Sequence, residues 1–394
     1  MPFGLYLLGL AVFAQGTSEF MLSGLVPDIA RDLRVSVPAA GALTSAFAVG
    51  MVVGAPLMAA MSRRWSRRAA LLGFLGTFLA VHVVGALTSS FGVLVATRVV
   101  GALANAGFLA VAVVTAVGMV EANAKGRATS VLLGGVTVAC VAGVPGGALL
   151  GQVWGWRSAF WAVVVLSVPA LFAIVRSVPG GGADAARVSV RGEVRALGSP
   201  RLQVALLLGA LVNGATFCTF TYLAPVAISV SGLGASWVPA VLALFGLGSF
   251  VGVTVAGRIA DARPVPVLVI GGVALLAGWV VFALSAGNPV AVIVLAFVQG
   301  TLSFGVGSTL ITQALYAAAD APTLAGGFAT AAFNVGAAVG PWVGGVVIGA
   351  GLGYRAPLWV SAGLVGVALV LGAASRLSRT ARTDRAARTA SSSA

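Results

Sequence analysis

Twelve apolar stretches, each long enough to cross a lipid bilayer, constrain this chain more than any other feature of its sequence. A helix needs about 20 apolar residues to cross a hydrocarbon core about 30 Å thick. Charged or Pro/Gly-rich breaks separate the stretches, which lie near residues 3–27, 38–60, 69–88, 91–119, 128–152, 158–177, 201–223, 237–257, 265–286, 289–315, 324–350 and 356–375. The sequence therefore predicts an all-α polytopic membrane protein with twelve transmembrane helices.

The composition leaves little room for another class of protein. Of the 394 residues, 59% are hydrophobic and only 8% are charged. A soluble domain built from them would expose large apolar patches to water. Lipid is the predicted solvent, and almost nothing remains for a soluble domain.

The basic residues point to the membrane surface and argue against nucleic acid as a partner. The net charge is +14, but the basic residues form short runs between apolar stretches, as at 61–68 and 376–388. This is the positive-inside pattern. It predicts a multi-pass protein of the bacterial inner membrane with both termini in the cytoplasm. Every basic residue then faces the cytoplasm except four outside and one within a span, which are Arg31, Arg34, Arg157, Arg355 and Arg98.

No cofactor, metal site or enzymatic activity is predicted. Cys140 and Cys218 lie in apolar stretches without a CxxC motif or a histidine partner, so we interpret them as packing residues. A Walker A loop requires a lysine after a glycine-rich turn, and the single lysine, Lys125, lies in EANAKGRAT. Transport driven by an ion gradient is therefore favoured over ATP hydrolysis by this chain.

An internal repeat organises the sequence. A shift of 198 residues aligns Pro27 with Pro225, Arg157 with Arg355 and Trp161 with Trp359, together with glycines in the first five pairs of spans and beside the sixth. Because the repeat has six spans, its copies keep the same topology and are related by an axis along the membrane normal. The predicted domains are an N-terminal bundle (1–177), a cytoplasmic linker (178–200), a C-terminal bundle (201–375) and a basic cytoplasmic tail (376–394), which we interpret as an anchor at the anionic inner leaflet.

Five sequence stretches carry a resemblance to a known family. They are RVVGALANAG from Arg98, VAGVPGGALLG at 141–151 with its repeat partner NVGAAVGPWVGG at 334–345, and GTSEFMLSGLVPDIARDLRVS at 16–36 followed by TSAFAVGMVVGAP at 44–56. They resemble the major facilitator superfamily, and within it the twelve-span drug/proton antiporters, most closely the bacterial chloramphenicol-resistance exporters. Two departures from the family pattern are Val144 between Gly143 and Pro145, and Arg63 where the family has an acid that the second copy keeps as Asp261.

The resemblance implies the major facilitator fold and a proton-driven antiporter, acting as a monomer, that exports small drug-like molecules of the chloramphenicol type by alternating access. It also implies gating or helix-packing roles for Gly143, Pro145, Gly147, Gly340, Pro341 and Asp261. Two alternatives remain. One is an exporter of sugars, nucleosides or other metabolites. The other is a receptor or scaffold, against which the lack of a sizeable extramembrane domain argues.

Three ionisable residues lie within the spans, Glu19, His82 and Arg98. Such a residue costs about 2.5–3.5 kcal/mol at a helix centre on insertion scales. Glu19 and Arg98 are predicted at similar depth and are our proton-coupling residues, with Asp28 at the outer mouth as a further acid. Alternatively, Arg98 extends to the outer interface and Glu19 is bound by Gln15. His82 is interpreted as a neutral, packed histidine.

The second half has lost every charge within its spans, because the repeat aligns Glu19 with Phe217, His82 with Val280 and Arg98 with Ala296. The first bundle is therefore expected to handle protons, and the second to contribute neutral polar and aromatic surface to the substrate. The predicted substrate-cavity residues are Gln15, Asn105, Asn213, Phe217, Phe220, Tyr222, Gln299, Ser303 and Asn334.

Overall fold

The computed structural model describes residues 2–61, 65–121, 124–178, 195–260, 263–318 and 325–392. Within these ranges the chain is all-helical, with eleven helices long and apolar enough to cross a membrane, and twelve if a bent pair at the N-terminus is counted as one span. The predicted Asp261 and most of the predicted linker lie outside the described residues.

The helices of the first half follow the six predicted spans, with two spans interrupted. Their bounds are α1 Phe3–Phe20, α2 Leu22–Asp32, α3 Val37–Met61, α4 Arg67–Leu87, α5 Phe91–Gly118, α6 Lys125–Val138, a π-helical turn Ala139–Gly143, α7 Val144–Trp154 and α8 Arg157–Ser177.

The helices of the second half repeat this order. A 3₁₀ turn Arg195–Gly198 precedes them, and their bounds are α9 Pro200–Thr221, α10 Leu223–Pro225 with a π turn Val226–Val230, a 3₁₀ turn Ala235–Trp237, α11 Val238–Ile259, α12 Pro264–Ser285, α13 Pro289–Ala317, α14 Ala325–Val347 with a π turn Ile348–Leu352, and α15 Ala356–Ser392.

The repeat is visible in the backbone at the loop before the last helix of each half. Gly155 and Gly353, which the 198-residue shift aligns, have φ values of 79° and 75°. Both lie in the left-handed region that favours glycine. Each stands just before a helix, α8 or α15, so the two copies turn their chains in the same way at the same point.

The first span is not the single helix over 3–27 that the sequence predicts. It breaks at Met21 into α1 and α2, which meet at 52°, and it continues to Asp32. Pro27 lies inside α2, where it cannot donate to the carbonyl of Ser23, and proline is a common cause of a helix bend. Gly24, in the first turn of α2, brings that turn close to α7: a Cβ there would lie 2.7 Å from the Ala148 methyl group.

The fifth span, predicted as one helix over 128–152, also has an interruption. Its π turn at Ala139–Gly143 ends two residues before Pro145. Because proline has no N–H to donate, the chain accommodates the lost bond by a wider turn. The carbonyl of Cys140 lies in this turn and faces Gly246 of α11.

The two halves pack together mainly at one end of the molecule, which we call the outer end because the positive-inside pattern predicts it to be extracellular. There α2 packs on α9, α10 and α11, and α11 packs on the π turn and α7. Along the other side of the interface α3 packs on α14. The Gln152 amide also donates to the carbonyl of Ala235 across the halves, at 2.6 Å.

Candidate functional site

Arg98 is the centre of a polar network inside the first half. Its side chain is only 1% exposed, so it does not extend to the membrane interface. Nη1 donates to Ser18 Oγ at 2.8 Å, and Nη2 donates to the Ser18 carbonyl at 2.8 Å. Its guanidinium carbon lies 4.3 Å from the centre of the Phe47 ring, a cation–π contact. Two hydrogen bonds and an aromatic face thus hold this buried charge.

His82 extends the same network from α4. Its Nδ1 lies 2.7 Å from the Phe78 carbonyl, which can only accept, so Nδ1 carries the proton. In the neutral ring Nε2 then accepts from the Ser18 hydroxyl at 2.6 Å, while that hydroxyl accepts from Arg98. The expected buried histidine is therefore also a hydrogen-bonding partner of the predicted proton-coupling region.

Glu19 follows Ser18 in α1 and is partly buried. Within the described part of the chain, no ion pair at 4.0 Å or less joins its carboxylate to Arg98. Gln15 does not bind Glu19 either: both polar side-chain atoms of Gln15 are buried and find no hydrogen-bond partner among the described residues. Glu19 therefore lies beside the arginine network, but its carboxylate forms no ion pair with Arg98.

Five phenylalanines form an aromatic cluster on the other side of Glu19. Phe20, the next residue of α1, lies 5.7 Å from Phe217 of α9, and thus crosses between the halves. Phe217 meets Phe220 edge-on at 6.0 Å, and Phe220 stacks on Phe245 of α11 at 4.7 Å. Phe304 of α13 completes the cluster, 6.3 Å from Phe245.

The aromatic cluster surrounds a closed void of about 10 Å³, which Cys140, Thr216, Gly246 and Ser249 also line. This is no larger than the space that about one water occupies. Aromatic rings with one thiol and two hydroxyls offer a surface that suits a small amphiphile. A substrate of drug size can enter only if the helices around the void move apart.

Only Phe217 and Phe220 of the predicted substrate-cavity residues line this void. Most of the others are engaged in helix packing. Tyr222 is fully buried and donates to the Pro341 carbonyl at 2.9 Å. Asn213 donates to the Phe333 carbonyl at 2.7 Å, and Gln299 donates to the Leu275 carbonyl at 3.3 Å.

The remaining predicted cavity residues are scattered. Asn105 donates to the Met51 sulfur at 3.4 Å, and Asn334 donates to Thr330 of its own helix at 3.0 Å. The Ser303 hydroxyl is buried and finds no hydrogen-bond partner among the described residues. These residues are not brought together at one surface in this structure.

Asp28 lies at the outer mouth, where it pairs with Arg31 one helical turn away. A second ion pair joins Asp32 to Arg157, whose Nη2 also donates to the Thr88 carbonyl at 2.9 Å. These four charged residues line an open cavity of about 870 Å³. Asp28 is thus remote from the Arg98 network, in an exposed and charged vestibule.

The predicted gating residues lie at close helix crossings. A Cβ at Gly143 would collide with Thr17 Oγ1 of α1, and one at Gly147 would lie 3.1 Å from Met21 Cβ. Pro145 is buried in the first turn of α7. In the second half a Cβ at Gly340 would collide with the backbone of Gly214, and the neighbouring Pro341 is the acceptor for Tyr222.

Sequence reasoning missed several residues of this site: Ser18, Phe20, Cys140, Phe245, Ser249 and Phe304. Ser18 and Phe20 flank Glu19, and adjacent residues in a helix project about 100° apart. A functional role for Glu19 therefore indicates that the residues on either side of it face two different surfaces. The 198-residue shift aligns Phe245 with Phe47, the residue whose ring contacts Arg98.

The fold and the site together define a membrane transporter: a helical protein of eleven to twelve spans in a repeated arrangement, with buried charge and an aromatic void where the halves meet. A family model described as Major Facilitator Superfamily matches residues 8–324 and 241–392. The chain belongs to the Major Facilitator Superfamily, a family of transporters and not of enzymes.

Relatives and solved structures agree with this assignment. The chain is 59% identical to a chloramphenicol resistance protein of Streptomyces lividans over 94% of this chain and 95% of that one. It is 35% identical to the inner membrane transport protein YdhP of Escherichia coli (strain K12) over 92% and 93% of the two chains. Its fold resembles the inward-facing, occupied crystal structure of a bacterial homolog to the human lysosomal transporter Spinster, with a TM-score of 0.73 at 18% identity over 94% and 96% of the chains.

Proposed function

We propose that this protein exports small amphiphilic drugs, with chloramphenicol-type compounds as the principal substrates, in exchange for protons. The observation that carries the proposal is the position of Glu19 between the Ser18–Arg98 contacts and Phe20 of the aromatic cluster. An acid placed there can respond both to a proton and to a ligand at the void. The 59% identical relative named a chloramphenicol resistance protein supports the choice of substrate.

Coupling requires that protonation favour one of two conformations. With Glu19 ionised, the acid attracts the nearby Arg98 guanidinium, and the first half keeps its buried charges balanced. When Glu19 takes up a proton this attraction is lost, which gives the two conformations different energies. Binding of the drug at the void and binding of the proton at Glu19 then affect each other through residues 18–20 of α1.

We propose that residues 1–177 and 201–375 move as two halves around the void, with 178–200 as the linker between them. The hydrophobic core around Phe74 and Phe108 and the one around Leu25 and Phe160 contain no second-half residue, which supports movement of the first half as a unit. We further propose a monomer in the bacterial inner membrane, with both termini in the cytoplasm, as the distribution of basic residues favours.

Reconstitution into liposomes tests the proposal. Purified protein should accumulate chloramphenicol against its gradient when a pH gradient is imposed, and Glu19→Gln should abolish accumulation while leaving drug exchange without a gradient. Glu121→Gln is the matched control, because Glu121 is exposed beyond the end of α5. It should transport normally.

Three results would reject the proposal in different ways. Drug accumulation that does not depend on the pH gradient would reject proton coupling. Normal uphill transport by Glu19→Gln would show that another group carries the proton. Transport of sugars or nucleosides, with no change in resistance to chloramphenicol in cells, would favour a metabolite exporter.

A further inference from the structure

A second cavity lies within the C-terminal half, away from the aromatic cluster. We call it the C-half crevice. It has a volume of about 650 Å³. The N-terminal turns of α9 and α12 bound it on one side, and the C-terminal turns of α13 and of the membrane-spanning part of α15 bound it on the other. That volume lies within the range of about 300–1,000 Å³ typical of small-molecule sites. No role in the proposed transport cycle involves it.

The repeat shows why the space exists. In the first half the equivalent positions hold large side chains that are fully buried, Phe74, Phe108 and Ile174. The 198-residue shift replaces these with Gly272, Val306 and Gly372, all of which line the C-half crevice. Leu71 and Leu75 likewise become valines. One half fills this region with its own side chains, and the other leaves it open.

The C-half crevice has polar groups at one end only. Arg201, Gln313, Tyr316 and Ser375 line it at the membrane surface, while the deeper lining is aliphatic. From Arg201 to Val212 the α9 backbone rises about 16 Å at 1.5 Å per residue, roughly half of a hydrocarbon core about 30 Å thick. The depth and polarity therefore match one leaflet of the bilayer.

The side of the C-half crevice is open to lipid. Val265, Val269 and Val273 of α12 line it and are 51%, 43% and 55% exposed. An empty apolar space beside hydrocarbon loses dispersion contacts, so a mobile chain from the bilayer is the natural occupant.

The charge at the mouth of the C-half crevice favours a lipid with an anionic headgroup. Arg201 lies at the mouth, Arg263 directly precedes the lining residue Pro264, and no acidic residue is among the described lining residues. A guanidinium binds phosphate through two parallel hydrogen bonds. We propose that the C-half crevice is a binding site for a phospholipid with an anionic headgroup, whose acyl chain occupies the aliphatic depth while its phosphate meets Arg201.

This inference rests on the membrane setting and not on drug export, so each can fail without the other. Native mass spectrometry of the purified protein, with phosphatidylglycerol or phosphatidylcholine of the same acyl chains, measures retention of lipid. Val306→Phe and Gly372→Ile restore the size of the first-half residues and should abolish retention of phosphatidylglycerol. A Cβ at Gly372 meets Leu208 at 3.7 Å, an ordinary contact, so the helix can accept the change.

Matched controls separate filling of the space from damage to the helices. Gly363→Ile makes the same change on α15 at an exposed site where a Cβ meets nothing within 4 Å, and it should retain lipid normally. Arg201→Gln should lower the preference for phosphatidylglycerol over phosphatidylcholine about fivefold, the effect of one basic residue near a membrane surface. Arg176→Gln, at the exposed end of α8, should leave that preference unchanged.

Several outcomes would overturn the proposal. Normal retention in both space-filling variants would show that the lipid binds elsewhere, and equal loss in Gly363→Ile would attribute the effect to the helix. An unchanged headgroup preference in Arg201→Gln would remove the anionic assignment. Displacement of the lipid by chloramphenicol, one molecule for one, would make the C-half crevice a drug site.

Discussion

Ser18 connects the buried polar groups of three helices by hydrogen bonds. Its hydroxyl donates to His82 of α4 and accepts from Arg98 of α5, and its carbonyl accepts a second bond from Arg98. A single hydroxyl can perform both tasks because it has one proton to donate and lone pairs to accept. The orientations of the His82 ring and of the Arg98 side chain thus depend on the same hydroxyl.

Removal of this hydroxyl tests its importance. Ser18→Ala leaves the carbonyl bond of Arg98 in place but breaks the link to His82, and we expect export to slow about tenfold, because a hydrogen bond to a charged group is worth about 1.5 kcal/mol or more. Drug efflux from liposomes measures the rate. Ser167→Ala is the control, since Ser167 is equally buried but binds only Val163 of its own helix. Equal effects of the two changes would contradict the role of Ser18.

Helix α1 and the break at its end bring the arginine network and the aromatic cluster next to each other. Three consecutive residues before Met21 face the arginine network, the region between, and the aromatic cluster, and the chain then bends by 52° into α2. The π turn of the fifth span packs on both α1 and α11. Two interrupted helices therefore meet beside the void, where movement is required if a substrate is to enter.

The close approach of the π turn to α1 depends on Gly143. Gly143→Ala would drive a methyl group into Thr17, at a cost of about 1–3 kcal/mol for overpacking. We expect a lower midpoint of thermal unfolding and slower export, with partial recovery in the double variant Gly143→Ala/Thr17→Ala. Gly146→Ala, three residues along the chain, should be neutral because a Cβ there meets nothing within 4 Å. No recovery in the double variant would refute the contact.

The positions of the spans could be predicted from the sequence because a helix in lipid must satisfy its backbone internally and needs a fixed apolar length. The bend at Met21 and the π turn could not, since proline permits such an interruption without fixing its place. The cost of charge in a membrane marks Arg98 as a functional candidate but leaves open whether its side chain is buried or extends to the interface, and nothing in the sequence indicates its partner Ser18. Tyr222 and Gln299 show the limit: one sequence does not reveal which surface of a buried helix a side chain faces.

For the whole molecule, the structure has its two halves in contact at the outer end. Gly246 of α11 lies against the carbonyl of Cys140, so close that any Cβ at this position would collide with it. Ala224, at the base of the outer cavity, is only 1% exposed. The contact between these halves must open if the void is to reach the outer side.

A side chain at Gly246 should therefore favour the opposite state. In a Cys140→Ser/Cys218→Ser background with Ala224→Cys, we expect Gly246→Val to increase labelling by a polar maleimide several-fold in the purified protein. Gly257→Val on the same helix is the control, because a Cβ there meets nothing within 4 Å. Equal labelling in both variants would mean that this contact does not hold the outer end closed.

The restriction of buried charge to the first half has a consequence for how such a carrier can acquire new substrates under antibiotic selection. Phe217, Phe220, Phe245 and Phe304 belong to the second half, where the charged residues of α9 and α11, Arg201 and Arg258, lie at helix ends. Under the proposed coupling through Glu19, substitutions that reshape the void for another compound can therefore accumulate in α9, α11 and α13 while the proton-coupling residues stay intact. Laboratory evolution toward a bulkier antibiotic should place its first substitutions in these helices and leave Ser18 and Arg98 unaltered.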